Sequence, residues 1–249
     1  MRQAGLSKLV CALATTTFIL LAAPVSWAQA LTPEQIIAAF RQPTSSTGNI
    51  ADAVDEATGA RAFMYHDMKP IFKAKIVGRA ATALLRPVLK HDQRKYPNHA
   101  LQILDEAPPG SVLVYVLENG LEIAGMGNLM ATTAKVRGLE GAVIDGAARD
   151  VEEVSRIGFP IFSRAVSPAT SVGRYVSVAK QVPVTCAGIL VRPGDYIVGD
   201  SDGVVVVPQE AAQKVVELIA QYDEKESRMI PIIEREKSML RALELYDRY

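Results

Sequence analysis

The sequence predicts an α/β protein in which helices cover a buried, mixed β-sheet. Residues 111–117, Ser-Val-Leu-Val-Tyr-Val-Leu, are too uniformly apolar to form a strand with a solvent-facing side. Between residues 111 and 164, strand patterns alternate with helix patterns, which is typical of crossover connections between strands. Shorter strands with tight turns follow up to residue 207, and a long amphipathic helix begins at Gln209.

The first residues have the pattern of a secretory signal peptide. Arg2 and Lys8 form a basic start, an apolar run follows over residues 9–23, and the small residues Ser26 and Ala28 precede a predicted cleavage after residue 28. The apolar run, about 15 residues long, is shorter than the roughly 20 residues that span a bilayer. The pattern therefore predicts a secreted, periplasmic protein with no membrane anchor once residues 1–28 are removed.

Residues 29–249 are predicted to form a single domain with a helical extension over residues 209–249. Hydrophobic residues make up 49% of the chain, and no Ser/Gly-rich linker or block of charge divides it. Loss of Cys11 with the signal leaves Cys186 as the only thiol of the sequence, so no intrachain disulfide can form. A cleavage after Ala30 fits nearly as well and leaves this conclusion unchanged.

The charge balance argues against a nucleic-acid partner. The whole chain has 27 basic and 27 acidic residues, and removal of Arg2 and Lys8 leaves 25 basic residues against 27 acidic ones. The sequence has no stripe of Lys and Arg interleaved with aromatic residues, which a nucleic-acid surface requires. No nucleic-acid partner is expected.

In the N-terminal half, turn and capping signals divide the predicted elements. Thr32 and Pro33 are typical of a helix start, and Gly59 is typical of a helix end. The predicted elements are a short helix after Thr32, a helix from Asn49 to Ala57, short strands within 71–85 with a close approach at Gly78, and a polar segment leading into a helix within 91–107.

The second half continues the alternation and then changes to strands joined by tight turns. The predicted elements are a helix over 132–137 ended by Gly138, a strand over 141–145, a helix over 151–157 ended by Gly158, a strand over 159–164, a strand over 182–191, two strands over 196–207 with a hairpin turn at 200–203, and the helix from Gln209, kinked or broken at Pro231.

Two turns carry the residues best suited to chemistry: Gly125 to Met130 and Asp145 to Asp150. Each follows a predicted buried strand and opens a helix, and ligands of α/β sheets bind at such strand ends. The first turn offers backbone N–H groups for a carboxylate or enolate oxygen. In the second, Arg149 can bind a carboxylate through two hydrogen bonds and Asp150 can hold Mg²⁺. The same residues are also consistent with a helix cap and a surface ion pair.

A long stretch of the chain resembles a known family. The run GNLMATTAKVRGLEGAVIDGAARDVEEVSRIGFPIFSRAVSP, followed by VRPGDYIVGDSDGVVVVP, is similar to the metal-dependent 4-hydroxy-4-methyl-2-oxoglutarate aldolases and ribonuclease regulators, the RraA-like family, over about residues 48–210. Gly127 and Arg149 keep that family's spacing of 22 residues between its glycine turn and its Arg-Asp pair. The resemblance implies a layered β/α/β sandwich of the swivelling-domain type, assembled as homotrimers or hexamers with active sites at subunit interfaces.

The resemblance also implies a set of site residues and a reaction. Gly127, Asn128, Leu129 and Met130 would bind the pyruvyl end of the substrate, Arg149 would bind the substrate, and Asp150 would ligate a divalent cation, Mg²⁺ or Mn²⁺. The implied activity is that of a class II aldolase, a lyase that cleaves 4-hydroxy-2-oxo acids to pyruvate. Oxaloacetate decarboxylation passes through the same pyruvate enolate.

Arg149 and Asn128 are the predicted catalytic residues, and Asn128 departs from the family pattern. Lyase members carry Asp or Glu at this position, whereas an amide is neither a general base nor a strong partner for metal-bound water. The alternative functions are therefore a non-catalytic RraA-like regulatory protein or binding protein for a small oxo acid. A different metal-dependent activity on the same scaffold is a third hypothesis.

The remaining candidates have a structural interpretation. The histidines have no zinc-ligand spacing and are predicted to lie on the surface or in loops: His66, His91 and His99. Cys186 is predicted to be a small core residue. Asp145 is predicted to form a turn, although it could lie behind the site. Three cations could line an anion pocket but are expected to be solvated: Lys135, Arg164 and Arg174.

Overall fold

The strands and helices were located in a computed structural model that describes residues 30–89 and 94–246; the predicted signal peptide, residues 1–28, lies outside them. The helices of these ranges are α1 (Pro33–Phe40), α2 (Thr47–Thr58), α3 (His99–Glu106), α4 (Asn128–Val136), α5 (Val151–Ile157), α6 (Ala212–Glu236) and α7 (Met239–Leu245). No helix in the described ranges is long and apolar enough to cross a membrane.

The strands form one mixed sheet and one small hairpin. They are β1 (Lys69–Pro70), β2 (Ile76–Pro87), β3 (Ser111–Leu117), β4 (Ala124–Met126), β5 (Gly141–Ala148), β6 (Ile161–Val166), β7 (Tyr175–Lys180), β8 (Val184–Cys186), β9 (Ile189–Val191), β10 (Tyr196–Asp200) and β11 (Gly203–Val207). Their order across the sheet is β1-β6-β5-β3-β2-β10-β11, with β4 beside β5, β7 beside β2, and β8 paired only with β9.

The centre of the sheet is parallel and its margins are antiparallel. Strands β2, β3, β5 and β6 run parallel to one another, whereas β1, β7, β10 and β11 pair antiparallel to their neighbours. The predicted mixed sheet and the crossover connections between residues 111 and 164 are therefore confirmed. The predicted long C-terminal helix corresponds to α6.

Strand β3 is buried on both faces, as its sequence predicts. Leu113 and Tyr115 pack with α3, α4 and α5, whereas Val112 and Val114 pack on the other face against the β8–β9 hairpin. This division follows from the alternation of side chains along a strand. On the helical face the Tyr115 hydroxyl donates a 2.6 Å hydrogen bond to the backbone oxygen of Ala100 in α3.

A second group of helices covers the same face of the sheet as α3, α4 and α5, at the β10–β11 margin: Val77 of β2 contacts this group, whereas Ile76 faces the hairpin. Helices α1, α2 and α6 pack against β10 and β11, with Phe40, Ile50 and Leu218 among the buried contacts. Phe40 meets the ring of Tyr196 edge to face, at 5.9 Å between the ring centroids. The sheet is thus covered by helices on one face and by the β8–β9 hairpin on the other, in agreement with the layered architecture expected from the sequence.

Several element boundaries differ from the sequence-based prediction. Helix α2 begins at Thr47 because the Ser46 hydroxyl, rather than Asn49, caps it by accepting from the Asn49 N–H at 3.1 Å. Its predicted end at Gly59 is confirmed. The predicted close approach at Gly78 is also confirmed, since a Cβ there would lie 2.3 Å from the Gly110 oxygen.

The second half of the chain departs from the prediction at two places. The predicted single strand over 182–191 is the β8–β9 hairpin, whose turn places Ala187 and Gly188 at positive φ of 44° and 84°. Of the kink or break predicted at Pro231, the break is absent, because α6 continues through this residue. Met229 and Ile232, on either side of the proline, pack against α7, and this packing offsets the backbone hydrogen bond that proline cannot donate.

Candidate functional site

The two glycine-containing turns singled out in the sequence meet in the structure. Helix α4 begins directly after β4, and α5 begins directly after β5, which pairs with β4 in parallel. The backbone N–H of Arg149 donates to the Met126 oxygen at 3.1 Å, so the second turn is fastened to the first. Both turns lie at the carboxyl ends of parallel strands, where α/β sheets commonly bind ligands.

Asp150 joins the two helices. Its backbone is in the left-handed region, with φ 57°, and its side chain makes no capping bond to its own helix α5. Instead, Asp150 Oδ2 accepts a 2.9 Å hydrogen bond from the Asn128 N–H, the first amide of α4. The carboxylate thus caps the neighbouring helix, which satisfies one of the four N–H groups that a helix start leaves open.

This contact narrows the set of backbone donors available to a substrate. The Asn128 N–H, to which the family resemblance assigns substrate binding, already donates to Asp150. The N–H groups of Leu129 and Met130 follow in the same first turn and have no acceptor within the helix. Leu129 exposes 81% of its surface, whereas Met130 packs partly against the helical core.

A side chain at Gly127 would displace the side chains of the second turn. A Cβ at this position would lie 2.5 Å from Asp150 Oδ2 and 2.8 Å from Arg149 Nε. Its own backbone is extended, with φ −144°, so the demand for glycine comes from the neighbouring side chains and not from the backbone angle. Gly127 is therefore part of the fit between the two turns.

Arg149 and Asp150 lie beside each other with part of their polar groups open. Arg149 Nε is 3.6 Å from Asp150 Oδ2, and both side chains are more than a third exposed. The terminal nitrogens of Arg149 and the second carboxylate oxygen of Asp150 have no hydrogen-bond partner in the described residues. Asn128 Oδ1 accepts from the Thr132 hydroxyl at 3.3 Å.

A cleft of about 330 Å³ opens next to these residues. The cleft is lined by Arg149, by the start of α4, by Leu101 and Leu104 of α3, and by the 170–172 loop. Large apolar side chains stand exposed at its mouth, with Leu129 at 81% and Val172 at 79% exposure. Leu129 and Val172 thus offer apolar surface that another molecule could cover.

Arg174 and Lys135 each donate a hydrogen bond to a backbone oxygen. The Arg174 guanidinium donates to the Thr170 oxygen at 3.0 Å and so stabilises the loop that lines the cleft. The Lys135 ammonium donates to the Ile157 oxygen near the end of α5. Both cations are exposed, as predicted, and each also donates to a backbone oxygen of the chain.

Asp145 and Arg164 belong to a network that the sequence did not reveal. Asp145 lies within β5 and not in a turn, and its two oxygens accept from Arg164 Nη1 at 3.0 Å and from the Ala187 N–H at 2.6 Å. Arg164 also donates to both oxygens of Asp67. The turn predicted at Asp145 and the solvated state predicted for Arg164 are therefore wrong.

The electrostatics of this network follow from its hydrogen bonds. Donation from Arg164 holds the pKa of Asp67 below its usual value. The two carboxylates in turn raise the pKa of Arg164, with the Asp67 hydrogen bond as the largest cause. The guanidinium also lies over the Tyr65 ring, 5.2 Å from its centroid. Asp67 and Tyr65 had no sequence signal, because their partner lies almost a hundred residues away.

The remaining titratable candidates that the structure describes do not line the cleft. His99 Nδ1 is 3.0 Å from Gln102 Oε1, His66 lines a different cleft, and His91 lies outside the described residues. Cys186 is buried, as predicted, and burial raises the pKa of its thiol well above the usual value. Within the described ranges no three His, Cys, Asp or Glu side chains form a group able to hold a metal ion.

Comparison with known proteins places this geometry in context. The profile of the RraA-like family, described as Aldolase/RraA, matches residues 47–206. A protein of Halalkalibacterium halodurans, named provisionally as a 4-hydroxy-4-methyl-2-oxoglutarate aldolase, is 34% identical over 151 residues, which cover 55% of this chain and 70% of that protein.

Solved structures of similar fold extend over most of the chain. An uncharacterised protein from Pseudomonas syringae is 28% identical with a TM-score of 0.78, over 90% of this chain and 100% of that one. Streptomyces coelicolor RraAS2, described as an unusual member of the RNase ES inhibitor RraA protein family, is 26% identical with a TM-score of 0.70, over 82% of this chain and 98% of that one.

Proposed function

The chain belongs to the RraA-like family, and from this membership and the geometry of its cleft we propose that it is a divalent-metal-dependent lyase. The proposed substrates are 4-hydroxy-2-oxo acids such as 4-hydroxy-4-methyl-2-oxoglutarate, which yields two pyruvates, and oxaloacetate. The observation that carries the proposal is the junction of Gly127, Arg149 and Asp150, which presents an open guanidinium and an open carboxylate oxygen side by side.

The chain's own groups suit a dicarboxylic oxo acid. The terminal nitrogens of Arg149 can bind one substrate carboxylate through two hydrogen bonds. The Leu129 and Met130 N–H groups at the start of α4 can bind the pyruvyl oxygens and the negative charge that develops there. The exposed apolar side chains at the mouth would help to exclude water once they are covered.

The donor set fits a Mg²⁺ or Mn²⁺ ion held by a single protein carboxylate. Asp150 keeps one oxygen free while the other accepts from Asn128, and Mg²⁺ commonly takes one or two carboxylates and fills its remaining positions with water and substrate oxygens. When bound, such a cation polarises the 2-oxo group and stabilises negative charge as the carbon–carbon bond breaks. Asp150 would hold it, and Arg149 would orient the substrate beside it.

Asn128 affects the two reactions differently. Cleavage of a 4-hydroxy-2-oxo acid requires the hydroxyl proton to leave, and an amide cannot accept it. Oxaloacetate loses CO₂ without any hydroxyl proton to remove. We therefore expect decarboxylation to be the faster of the two reactions in this chain, and we expect Asn128→Asp to raise aldol cleavage more than decarboxylation.

The proposed assembly is a homotrimer or hexamer, in which a second copy covers the cleft. Leu129 and Val172 at the mouth of the cleft are mostly exposed in the single chain, and their burial against another copy would remove this apolar surface from water. Mass measurement by light scattering during gel filtration tests this, and a monomer at micromolar concentration contradicts it.

Export to the periplasm stays a prediction, tested by fractionation of cells that express the full chain.

Pyruvate release tests the proposed activity. Wild type is assayed with 4-hydroxy-4-methyl-2-oxoglutarate and with oxaloacetate, with Mg²⁺ or Mn²⁺ and with EDTA. The variants are Asp150→Ala, Asn128→Asp and, as a matched control, Asp202→Ala in the β10–β11 turn, where the side chain is exposed. Calorimetric titration with Mn²⁺ alone measures metal binding independently of turnover.

The outcomes separate the candidate functions. Metal-dependent pyruvate release that Asp150→Ala abolishes and Asp202→Ala preserves supports the lyase. If wild type releases no pyruvate and Asn128→Asp does, the second candidate is supported, namely a non-catalytic protein that binds a small oxo acid. The amide at Asn128 favours this candidate. Absence of pyruvate release by both wild type and Asn128→Asp contradicts the aldolase proposal for these substrates.

A further inference from the structure

A second, larger cleft lies at the opposite end of the sheet. Its volume is about 890 Å³, against about 330 Å³ at the candidate site. It is bounded by α1, by the turn that precedes β3, and by the Pro193–Gly194 turn before β10. Strand β3 separates the two sites by its length, roughly 20 Å at 3.3 Å per residue. A ligand here would not compete with one at the candidate site.

The walls of this cleft are mostly apolar. Prolines form much of the surface, and Ile37 of α1 adds to it: Pro33, Pro108, Pro109 and Pro193. Proline rings and short side chains are already fixed in position, so they lose little conformational freedom when they cover a ligand. An apolar cavity of this size with a few polar groups has the general character of a small-molecule site.

Arg79 supplies a positioned cation. Its Nε donates to the Gly194 oxygen at 3.0 Å, its Nη2 donates to Gln209 Oε1, and its guanidinium lies 5.9 Å from the centroid of the Tyr196 ring. Its Nη1 group has no hydrogen-bond partner in the described residues. The side chain is therefore held in place while one of its nitrogens remains open to a ligand.

Gln181 supplies a second donor and is held in an unusual backbone conformation. Its φ is 51°, in the left-handed region that non-glycine residues rarely adopt. Two hydrogen bonds to Thr82 hold it there: its N–H donates to the Thr82 oxygen at 2.8 Å, and its side-chain oxygen accepts from the Thr82 N–H at 3.2 Å. The side-chain NH₂ of Gln181 has no partner in the described residues. Backbone strain of this kind concentrates at functional sites.

The open nitrogen of Arg79 selects the ligand. The other arginine of the lining, Arg41, is already paired with Glu140 at 2.8 Å, and the lining carboxylate, Glu34, is exposed, so Arg79 provides the positioned positive charge. We propose that this cleft binds an organic monoanion with an apolar body, a carboxylate or a sulfonate, with its head group at Arg79 and Gln181 and its body against the prolines. The short dicarboxylic acids proposed for the other site have no such body.

Calorimetric titration of the purified full chain with octanoate tests the proposal. It measures binding without turnover, so its result does not depend on the lyase proposal. Octanoate is expected to bind saturably at one site per chain. Gln181→Gly is expected to weaken binding at least fivefold while the fold is kept, since glycine adopts φ 51° without strain. Arg79→Met is expected to weaken it at least tenfold, and Ala38→Trp, which fills the cleft, to abolish it.

Two controls decide what is recognised. Octanamide, with the same chain and no charge, is expected to bind at least tenfold more weakly than octanoate. Arg156→Met, at an exposed arginine on α5 outside the cleft, is expected to bind octanoate as wild type does. Absence of saturable octanoate binding overturns the proposal. So does binding that Gln181→Gly and Ala38→Trp leave unchanged, or equal affinity for octanamide and octanoate.

Discussion

Replacing Gly127 by alanine tests whether the junction of the two turns determines activity. The new Cβ would lie 2.5 Å from Asp150 Oδ2, whereas ordinary contacts begin near 3.4 Å, so the carboxylate must move by about 0.9 Å. The extended backbone at Gly127 accepts alanine without strain, so the perturbation falls on Asp150 and Arg149. A displacement of about 1 Å in a catalytic group costs on the order of a hundredfold in rate.

We therefore expect Gly127→Ala to lower kcat/KM for pyruvate formation about a hundredfold. Loss of the 2.9 Å bond between the Asn128 N–H and Asp150 is expected to lower the free energy of unfolding by about 1 kcal/mol, the usual effect of a lost helix cap. Hydrogen exchange of the Asn128 amide should become faster, and this readout does not require turnover.

Gly48→Ala is the matched control. A Cβ at Gly48 on α2 meets nothing closer than Ser46 Oγ at 3.6 Å, so activity should equal that of wild type. If Gly127→Ala keeps wild-type kcat/KM and an unchanged Asn128 exchange rate, the position of Asp150 against α4 does not matter and the argument from the junction fails.

Three further predictions concern groups away from the cleft. Arg164→Met leaves Asp67 and Asp145 without their shared cation. We expect the free energy of unfolding in urea to fall by about 2 kcal/mol, less than for a fully buried pair because the Arg164 side chain is 20% exposed. An unchanged unfolding midpoint would contradict this. Because the folded-state pKa of Asp67 is depressed, its contribution to stability is present at neutral pH and is lost as pH falls below about 4. The stability of Asp67→Asn should therefore fall less steeply than that of wild type below about pH 4. An equally steep fall would count against this argument. Cys186 should resist alkylation in the native protein and react after unfolding, as peptide mapping by mass spectrometry would measure; native labelling would refute the burial argument.

Local signals in the sequence predicted much of the fold. The apolar run of β3, the start of α1 at the Thr32 cap and Pro33, and the end of α5 at Gly158 each depend on neighbours within a few residues. Short-range physics of this kind can be read from one chain segment at a time. The same holds for the two turns of the candidate site, since each follows a strand and opens a helix.

Contacts between distant segments could not be predicted in this way. The partners of Arg164 lie 97 and 19 residues away, at Asp67 and Asp145, and no local pattern connects them. The β8–β9 turn at Ala187 lacks the Asn-Gly or Asp-Gly signal that usually indicates such a hairpin, so the segment resembled one strand. The cap that Asp150 provides for α4 likewise spans 22 residues.

The hydroxyl of Tyr115 determines which way β3 faces. A strand that is apolar on both sides carries no hydrophobic pattern to distinguish one pairing register from the next, and a slip by one residue would exchange its two faces. In a slipped register the Tyr115 hydroxyl would enter the apolar layer beneath the β8–β9 hairpin, away from the Ala100 oxygen that accepts its hydrogen bond. An unpaired buried hydroxyl is costly, so this one polar atom marks the correct alignment of the central strand and, through it, of the strands that position both turns of the candidate site.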